Sequence, residues 1–380
     1  MSDPILIVVF LRGGMDGLNL VSPTGDTDYV AARPEDLRVL RKGDNPGIPL
    51  ADQAADVDFR FHPAAAPFAE MFGARELAVI HAAGLTDGTR SHFDAEARME
   101  RAAKGGAAGG WLGRWYDANR PDGPLPILAA GSSLPDSLAG TRDVAVADAL
   151  EDLILAQGHD LSPTLRRRIR EGFGAHPLIG APISALLHLS EVLEARITDA
   201  DTGEVADYKP SVDYPDNELA QPLKTIARAI KLDLGLRIAT LDYGGWDTHV
   251  NQRGEFAQNL ERLSVGLTAF WRDLGPAQDR TNVVIMSEFG RRLRSNTAGG
   301  TDHGFGNAMM VLGAGIRGGR MYGRWPGLAN DALNAGADLD ITTDYRHVLA
   351  DVLRHHMGQG DLSSILPGFT PEPLGLYRPA

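Results

Sequence analysis

Short apolar runs that end in glycine recur along this chain, and they limit its possible folds more than any other feature. The first is ILIVVFL at residues 5–11, which is followed by glycines. A continuous β-branched and apolar run is typical of a strand buried on both faces of a mainly parallel sheet. Further strands of this kind are expected at Glu76–Gly84, Leu125–Gly131, Leu236–Leu241, Asn282–Gly290 and Ala308–Gly315.

Helical periodicity lies between several of these runs. It is clearest in FAQNLERLSVGLTAFWRDL and in DYRHVLADVLRHHM, and a further helix is expected from about Ser91 to Ala103. Strands that alternate with helices predict an α/β fold with a doubly wound, mainly parallel sheet flanked by helices. In such sheets ligands bind at the carboxyl ends of the strands.

The stretch from about residue 151 to 215 differs from the rest. It is polar, helix-like and interrupted by proline and aspartate, which predicts a helical insertion or cap within one domain that spans residues 1–380. We expect this insertion to shape a substrate pocket.

Composition excludes several classes of function. The formal net charge of −13 argues against a nucleic-acid partner, which usually needs a basic face. An anionic substrate remains compatible with this charge if a metal ion reverses the local field. The absence of cysteine excludes disulfides, zinc–thiolate sites and thiol nucleophiles.

The first residues show neither a secretory leader nor the roughly 20 apolar residues of a membrane span. The sequence as given therefore predicts a cytoplasmic protein without a membrane partner, or a periplasmic one if an export signal was trimmed.

Polar side chains follow the predicted strands. Asp16 comes after the first strand, Ser91 and His92 after the second, and Asp247 with His249 after the strand at Leu236–Leu241. Two more polar residues lie further along the chain. Glu288 follows the strand that begins at Asn282, and His303 lies in the glycine-rich loop before Ala308. Their shared placement predicts a site at one edge of the sheet.

Each of these residues also has a simpler interpretation. Asp16 lies beside three glycines and could form a turn. Ser91 could be the N-cap of the following helix. His249 could be a hydrogen-bonded structural imidazole, and Glu288 could form a surface ion pair with one of the two arginines that follow it.

A metal site explains the residues together. Carboxylate oxygen and imidazole nitrogen are ligands of divalent ions such as zinc and manganese. Two such ions about 4 Å apart can hold a phosphate-like anion. Ser91 at a helix N-terminus faces a positive dipole that favours its deprotonation, and Arg90 could bind non-bridging oxygens. Ser91, Arg90 and His92 are thus the candidate catalytic residues.

The order of these motifs resembles the alkaline phosphatase superfamily, and most closely the bacterial family catalogued as domain of unknown function 1501. The matching stretches run from the first strand to about Gly319: LRGGMDGLN, RSHFDAEARME, YGGWDTHVNQ, MSEFGRRLRSN and GGTDHGFGNAMMVLGAGIRGG. The resemblance implies a three-layer fold of the alkaline-phosphatase type and one or two divalent ions, with zinc, manganese, magnesium and calcium all open.

The resemblance also implies roles. Asp16 and Glu288 would bind the ion that activates Ser91, the nucleophile. A second ion would be bound by Asp247, His249 and His303.

Two departures from the superfamily pattern affect this assignment. Phe289 stands where a second ligating histidine is usual, which predicts an oxygen-rich, weak position at Glu288. Asp247 and His249 are only two positions apart, so in an extended segment they would face opposite sides. Joint ligation therefore requires a bend, which Gly244 and Gly245 would allow.

These observations lead to three hypotheses. The first is a metal-dependent hydrolase of small anionic esters, either phosphates or sulfates, that uses a serine nucleophile. The second is a phosphomutase of the same superfamily. The third is a non-catalytic binding protein that retains the fold, since fold alone does not determine function.

Overall fold

The computed structural model describes residues 3–50, 57–103, 107–155, 161–199, 202 and 204–378. Its strands are β1 Ile5–Leu11, β2 Val21–Pro23, β3 Ile48–Pro49, β4 Phe59–Phe61, β5 Leu77–Gly84, β6 Ile127–Ala130, β7 Ala145–Ala147, β8 Ile238–Tyr243, β9 Thr281–Met286, β10 Asn307–Gly313, β11 Met321–Tyr322 and β12 Thr343–Asp344. Its α-helices are α1 Gly17–Leu20, α2 Thr27–Ala32, α3 Ala66–Gly73, α4 His92–Arg101, α5 Trp111–Asn119, α6 Ser162–Phe173, α7 Gly180–Ile197, α8 Ala220–Lys231, α9 Gln252–Asp273 and α10 Tyr345–His355.

The main sheet has the strand order β11-β5-β10-β9-β1-β8-β6-β7, and β12 also pairs with β5. β1 lies at its centre and runs parallel to both β8 and β9. β10 is the exception, because it runs antiparallel to both β5 and β9. The fold is thus α/β with a mixed, mostly parallel sheet, as predicted. The antiparallel direction of β10 is a feature that the apolar pattern alone did not reveal.

Alternate side chains of β1 enter two different cores. Ile5, Ile7 and Val9 pack with residues of α8 and α9 on one face, while Leu6, Val8 and Phe10 pack with residues of α5 and α10 on the other. A strand covered on both faces reads as a continuous apolar run, which is why ILIVVFL lacks a polar alternation. The sheet is therefore the middle of three layers.

The region predicted as an insertion contains α6 and α7, in agreement with its helical pattern. Residues 156–160, 200, 201 and 203 of this region lie outside the described residues. Its role as a cap within a single domain stays a prediction. None of the described helices is long and apolar enough to cross a membrane.

Candidate metal centre

The site residues meet at one edge of the main sheet. His92 is the first residue of α4, which follows β5, and Asp247 and His249 follow β8. Glu288 follows β9, whereas His303 precedes β10. Because β10 runs antiparallel to β5 and β9, its beginning lies at the edge where those strands end. The strand direction therefore brings His303 to the same edge as the other four residues.

Four donor atoms converge at this edge. The Nε2 atom of His303 and the Oδ1 atom of Asp247 lie 3.1 Å apart. His92 Nε2 lies 2.9 Å from His303 Nε2 and 3.4 Å from Asp247 Oδ1. His249 Nε2 lies 2.9 Å from His303 Nε2 and 3.1 Å from Asp247 Oδ1. The donors thus form two triangles that share the edge between His303 and Asp247.

The other ring nitrogen of His92 is held by a buried carboxylate. His92 Nδ1 lies 2.7 Å from Oε1 of Glu288, whose side chain is fully buried. The same carboxylate accepts hydrogen bonds from the backbone N–H of Gly13 and from the hydroxyl of Ser287, at 2.8 and 2.9 Å. Glu288 therefore orients His92 from behind. With His92 and Glu96 it also forms a second group of possible donor atoms, and its predicted role as a direct ligand stays a prediction.

The remaining two imidazoles are held in the same way. His249 Nδ1 lies 3.1 Å from Oδ1 of Asp302. His303 Nδ1 lies 2.8 Å from the backbone carbonyl oxygen of Arg90. All three Nδ1 atoms of the site therefore face an oxygen that accepts hydrogen bonds.

These contacts determine where the imidazole protons lie. A carboxylate or a carbonyl can only accept, so in a neutral imidazole each Nδ1 carries the proton and each Nε2 presents a lone pair. The three lone pairs then face one another and the Asp247 carboxylate, which is unfavourable unless a cation lies among them. Histidine ligands of metals are typically oriented through the other ring nitrogen in this manner.

The spacing of the donors suits a small divalent ion. Zinc bonds of about 2.0–2.1 Å in a tetrahedral site separate neighbouring ligand atoms by about 3.3 Å. The edges of the two triangles, 2.9–3.4 Å, lie close to this value. His92 Nε2, His303 Nε2 and Asp247 Oδ1 are therefore a fitting donor set for one ion. His249 Nε2 borders this set through its contacts with His303 and Asp247.

Hydrogen bonds, burial and neighbouring charges shift the pKa values of three side chains at the site. The pKa of His92 is raised, first by its hydrogen bond to Glu288. Burial lowers the pKa of His303. Burial would raise the pKa of Asp247, but hydrogen bonding and charge from Arg291, together with His303 and His249, lower it to about 2. Asp247 therefore stays ionised and available as a ligand at neutral pH.

Arg291 anchors the loops beneath the site. Its side chain is fully buried, and one guanidinium N–H donates to Asp247 Oδ1 at 2.5 Å. Further N–H groups donate to the backbone carbonyls of Gly14, Trp246 and Thr301, at 2.7, 3.1 and 2.8 Å. The surface pair of an arginine with Glu288 that the sequence left open is absent from the described ion pairs, because Arg291 binds Asp247 instead.

The expected bend between Asp247 and His249 is present. The backbone N–H of Thr248 donates to the carbonyl of Trp246 at 2.8 Å, and that of His249 donates to the carbonyl of Asp247 at 3.0 Å. Gly245, just before the bend, has a φ of +86°, which an L side chain adopts at a cost. Two successive tight turns thus bring both side chains to one side.

Asp16 lies apart from the four donors. Its two carboxylate oxygens contact Arg33 at 2.8 and 3.0 Å, and both side chains are fully buried. Oδ2 also accepts from Gln252 at 2.6 Å, while Oδ1 accepts from the backbone N–H of Asn19 at the start of α1. The oxygens of Asp16 are thus engaged in a buried ion pair and a helix cap, and its predicted role as a metal ligand stays a prediction.

The candidate catalytic residues occupy three different positions. Ser91 is exposed at the N-cap of α4, and among the described residues no backbone N–H of that helix donates to its hydroxyl. The guanidinium of Arg90 pairs with the buried carboxylate of Asp338. His92 belongs to the donor cluster. Ser91 therefore lies directly before the donor His92 and makes no cap hydrogen bond, whereas the side chains of Arg90 and His92 are engaged in these contacts. The catalytic roles expected for all three residues stay predictions.

Sequence reasoning did not assign His92, Asp302 and Arg291 to these roles. The position of His92 could have indicated its place in the donor cluster, since it is an imidazole at the start of the helix after a buried strand. Asp302 stands directly before His303, and its partner His249 comes from a distant loop. The burial of Arg291 had no signal in the sequence.

The fold and this donor cluster define an α/β protein with a candidate metal centre at the carboxyl edge of its sheet. The chain belongs to the family described as "Protein of unknown function (DUF1501)", whose sequence pattern matches residues 81–366. This confirms the resemblance found in the motifs. No curated protein matches the chain significantly in sequence.

Solved structures that the chain resembles include two enzymes and one periplasmic domain. The phosphonate monoester hydrolase of Agrobacterium radiobacter is 11% identical, with 97% of this chain and 78% of that one covered and a TM-score of 0.40. The C-terminal periplasmic domain of EcEptC from Escherichia coli is 7% identical, with 98% and 89% covered and a TM-score of 0.43. The alkaline phosphatase from the Antarctic bacterium TAB5 is 11% identical, with 83% and 93% covered and a TM-score of 0.33. At such low identities, the function of this chain has to be inferred from its own residues.

Proposed function

We propose that this protein is a metal-dependent hydrolase of small phosphate or sulfate esters, with one divalent ion held by His92, His303 and Asp247 and with His249 as a neighbouring donor. The supporting observation is that the Nδ1 atoms of all three imidazoles contact acceptor oxygens, so that in the neutral rings the Nε2 lone pairs point towards Asp247 Oδ1. Such an arrangement favours a cation at its centre over a set of neutral hydrogen bonds.

The donor set narrows the choice of ion. Imidazole nitrogens and one carboxylate oxygen suit zinc or manganese better than magnesium or calcium, which prefer oxygen ligands. The second position expected at Asp16 and Glu288 is not part of this proposal, because Asp16 pairs with Arg33 and because Glu288 shares His92 with the first ion in the second group of possible donors, His92, Glu96 and Glu288. The proposal is therefore one ion rather than two.

An ion at this site would supply positive charge that stabilises an anionic ester and lowers the pKa of a neighbouring hydroxyl. The protein adds further positive charge nearby through Arg292, which is 44% exposed and raises the potential around Asp302. This local field matters, because the whole chain carries a formal net charge of −13. An anionic substrate would then be attracted to this edge.

Ser91 is the proposed nucleophile. Its hydroxyl lies at the N-terminus of α4, where the helix dipole favours negative charge. Attack by Ser91 Oγ on phosphorus or sulfur forms a covalent ester and releases the substrate's alcohol, which takes up a proton. Water then attacks the same phosphorus or sulfur, releases the serine and yields the free anion.

The experiment is a substrate trial on zinc- and manganese-loaded protein with an aryl phosphate, a phosphodiester and an aryl sulfate. We expect release of the free anion from one of these classes, and a loss of several orders of magnitude in Ser91→Ala. Ser363→Ala, a change to an exposed serine far along the chain, is the matched control and should keep its activity.

Two outcomes would contradict the proposal. Wild-type turnover by Ser91→Ala would exclude the covalent mechanism. A metal-loaded protein that releases no anion from any of the three classes would exclude the hydrolase, and isomerisation of a sugar phosphate without free phosphate would favour the mutase.

A further inference from the structure

A second cationic feature lies at the opposite edge of the sheet. Four arginines line a cavity of about 450 Å³ together with Phe72 and three glycines. The arginines are Arg75, Arg317, Arg320 and Arg378. Ligand pockets commonly enclose about 300–1,000 Å³, so this cavity is large enough for a small molecule.

The four guanidinium groups have no anionic partner among the described residues. Within residues 3–50, 57–103, 107–155, 161–199, 202 and 204–378, none of them forms an ion pair or donates a side-chain hydrogen bond. The acid next to Arg75 in sequence, Glu76, is already bound by both terminal nitrogens of Arg272, at 2.8 and 2.9 Å. Positive charge is therefore concentrated in this cavity on a chain whose formal net charge is −13.

Backbone hydrogen bonds join the three segments of the chain that line the cavity. The backbone N–H of Gly319 donates to the carbonyl of Leu77 at 2.8 Å, which joins the 317–320 segment to the beginning of β5. The N–H of Arg317 donates to the carbonyl of Leu376 at 2.7 Å, which joins the same segment to the C-terminal stretch. The arginines are thus carried on connected backbone rather than on independent loops.

Close backbone approach at this place requires glycine. A Cβ atom at Gly318 would lie 2.3 Å from the carbonyl oxygen of Arg75, and Gly319 has a φ of +72°. Arg75 itself has a φ of +62°, a conformation that costs a non-glycine residue free energy. The turn that presents Arg75 is therefore specified by the packing of the 317–320 segment.

The cavity is separate from the metal centre. Arg75 precedes β5, whereas the loop to His92 follows it, and eight strand residues span about 25 Å. A ligand in the arginine-lined cavity would not reach the donors of the metal centre. This feature is therefore independent of the proposed hydrolase.

We infer that this cavity is a binding site for a compact, multiply charged phosphate, such as a short oligophosphate. Guanidinium groups bind phosphate oxygens through paired hydrogen bonds, and four of them match an anion with several charges. Arg75, Arg320 and Arg378 are exposed and Arg317 is half-buried, so the four groups are accessible to such a ligand, which would also relieve their mutual repulsion.

The test is calorimetric titration of the chelator-treated full-length protein with tripolyphosphate, which leaves the metal centre out of the reaction. We expect one site per chain, with affinity reduced roughly tenfold by Arg317→Gln and further by Arg75→Gln with Arg317→Gln. Arg142→Gln makes the same change in net charge at an exposed arginine elsewhere and should leave the affinity unchanged. Thermal stability of the cluster variants should be equal or higher, which shows that they remain folded.

Several results would overturn the inference. Equal weakening by Arg142→Gln would show nonspecific attraction, and unchanged affinity in the double variant would place the ligand elsewhere. Loss of binding in His303→Ala would assign the anion to the metal centre. Equal affinity for orthophosphate would contradict a multiply charged ligand.

Discussion

The Nδ1 atom of His92 lies 2.7 Å from the carboxylate of Glu288, which is fully buried behind it. Burial would raise the pKa of Glu288, but its hydrogen bonds from His92, Gly13 and Ser287 lower it, so that the carboxylate stays ionised. An ionised acceptor at this position fixes the tautomer of His92 and directs Nε2 into the donor cluster. The chemistry of the candidate metal centre depends on this relationship.

The first prediction concerns this pair. Glu288→Gln should weaken metal binding by about 10–100-fold while the ion can still be bound, because the ligand remains and only its orienting partner is weakened. His92→Ala should weaken binding more. Competition with a chromophoric chelator would measure both affinities.

Glu261→Gln is the matched control, since Glu261 is exposed on α9 and belongs to neither group of possible metal donors. It should leave the metal affinity unchanged. Equal losses in Glu288→Gln and His92→Ala would contradict the orienting role and make Glu288 a direct ligand.

The second prediction concerns Asp16. Asp16→Ala leaves the buried guanidinium of Arg33 without its partner and should lower the free energy of unfolding by about 3–5 kcal/mol. Folded protein should still bind one ion, since Asp16 lies outside the donor cluster. Urea unfolding and metal analysis of the same sample would separate the two effects.

The double replacement Asp16→Leu with Arg33→Met is the control, because removing both charges avoids an uncompensated one. It should regain much of the lost stability. A stable Asp16→Ala protein that has lost its metal would show that Asp16 is a ligand after all.

The third prediction is a pH dependence at Asp273, whose buried carboxylate anchors the 208–214 segment. It accepts hydrogen bonds from Tyr208, Ser211 and Tyr214 and pairs with Lys231. Burial would raise its pKa, but Lys231 and these hydrogen bonds lower it to about 2. An unfolded aspartate has a pKa of about 4.

Because the folded pKa is the lower one, the stabilisation by Asp273 is fully present above about pH 4 and is lost as the pH falls through about 2. The stability difference between wild type and Asp273→Asn should therefore be constant from pH 7 to pH 5 and shrink below pH 4. Urea unfolding at pH 6, 4 and 3 would measure it. A difference that does not change with pH would contradict the lowered pKa.

The sequence predicted the fold well because its strands are buried on both faces and carry an unambiguous apolar pattern. It also placed Asp247, His249 and His303 at one edge, since strand ends meet there whatever the loops do. The direction of β10 was not predictable in this way, because an apolar run does not encode the direction of its neighbours.

The contacts that Asp16 and Glu288 make could not be predicted from the sequence either. Asp16 and Glu288 both follow buried strands, as a ligand would, but each has a buried partner that comes from far along the chain. Arg33 forms a buried ion pair with Asp16, and His92 contacts the carboxylate of Glu288. Such partners are set by tertiary packing, whereas the motifs record only local order.

The most direct test of the central claim is the metal content of purified wild type and His303→Ala, measured by mass spectrometry after equilibration with zinc. His303 contributes to both donor triangles, so the account predicts one zinc per chain in the wild type and a near-complete loss in His303→Ala. His188→Ala, at an exposed histidine far from the site, should keep its zinc. Two tightly bound zinc ions per chain, or an undiminished content in His303→Ala, would contradict the account.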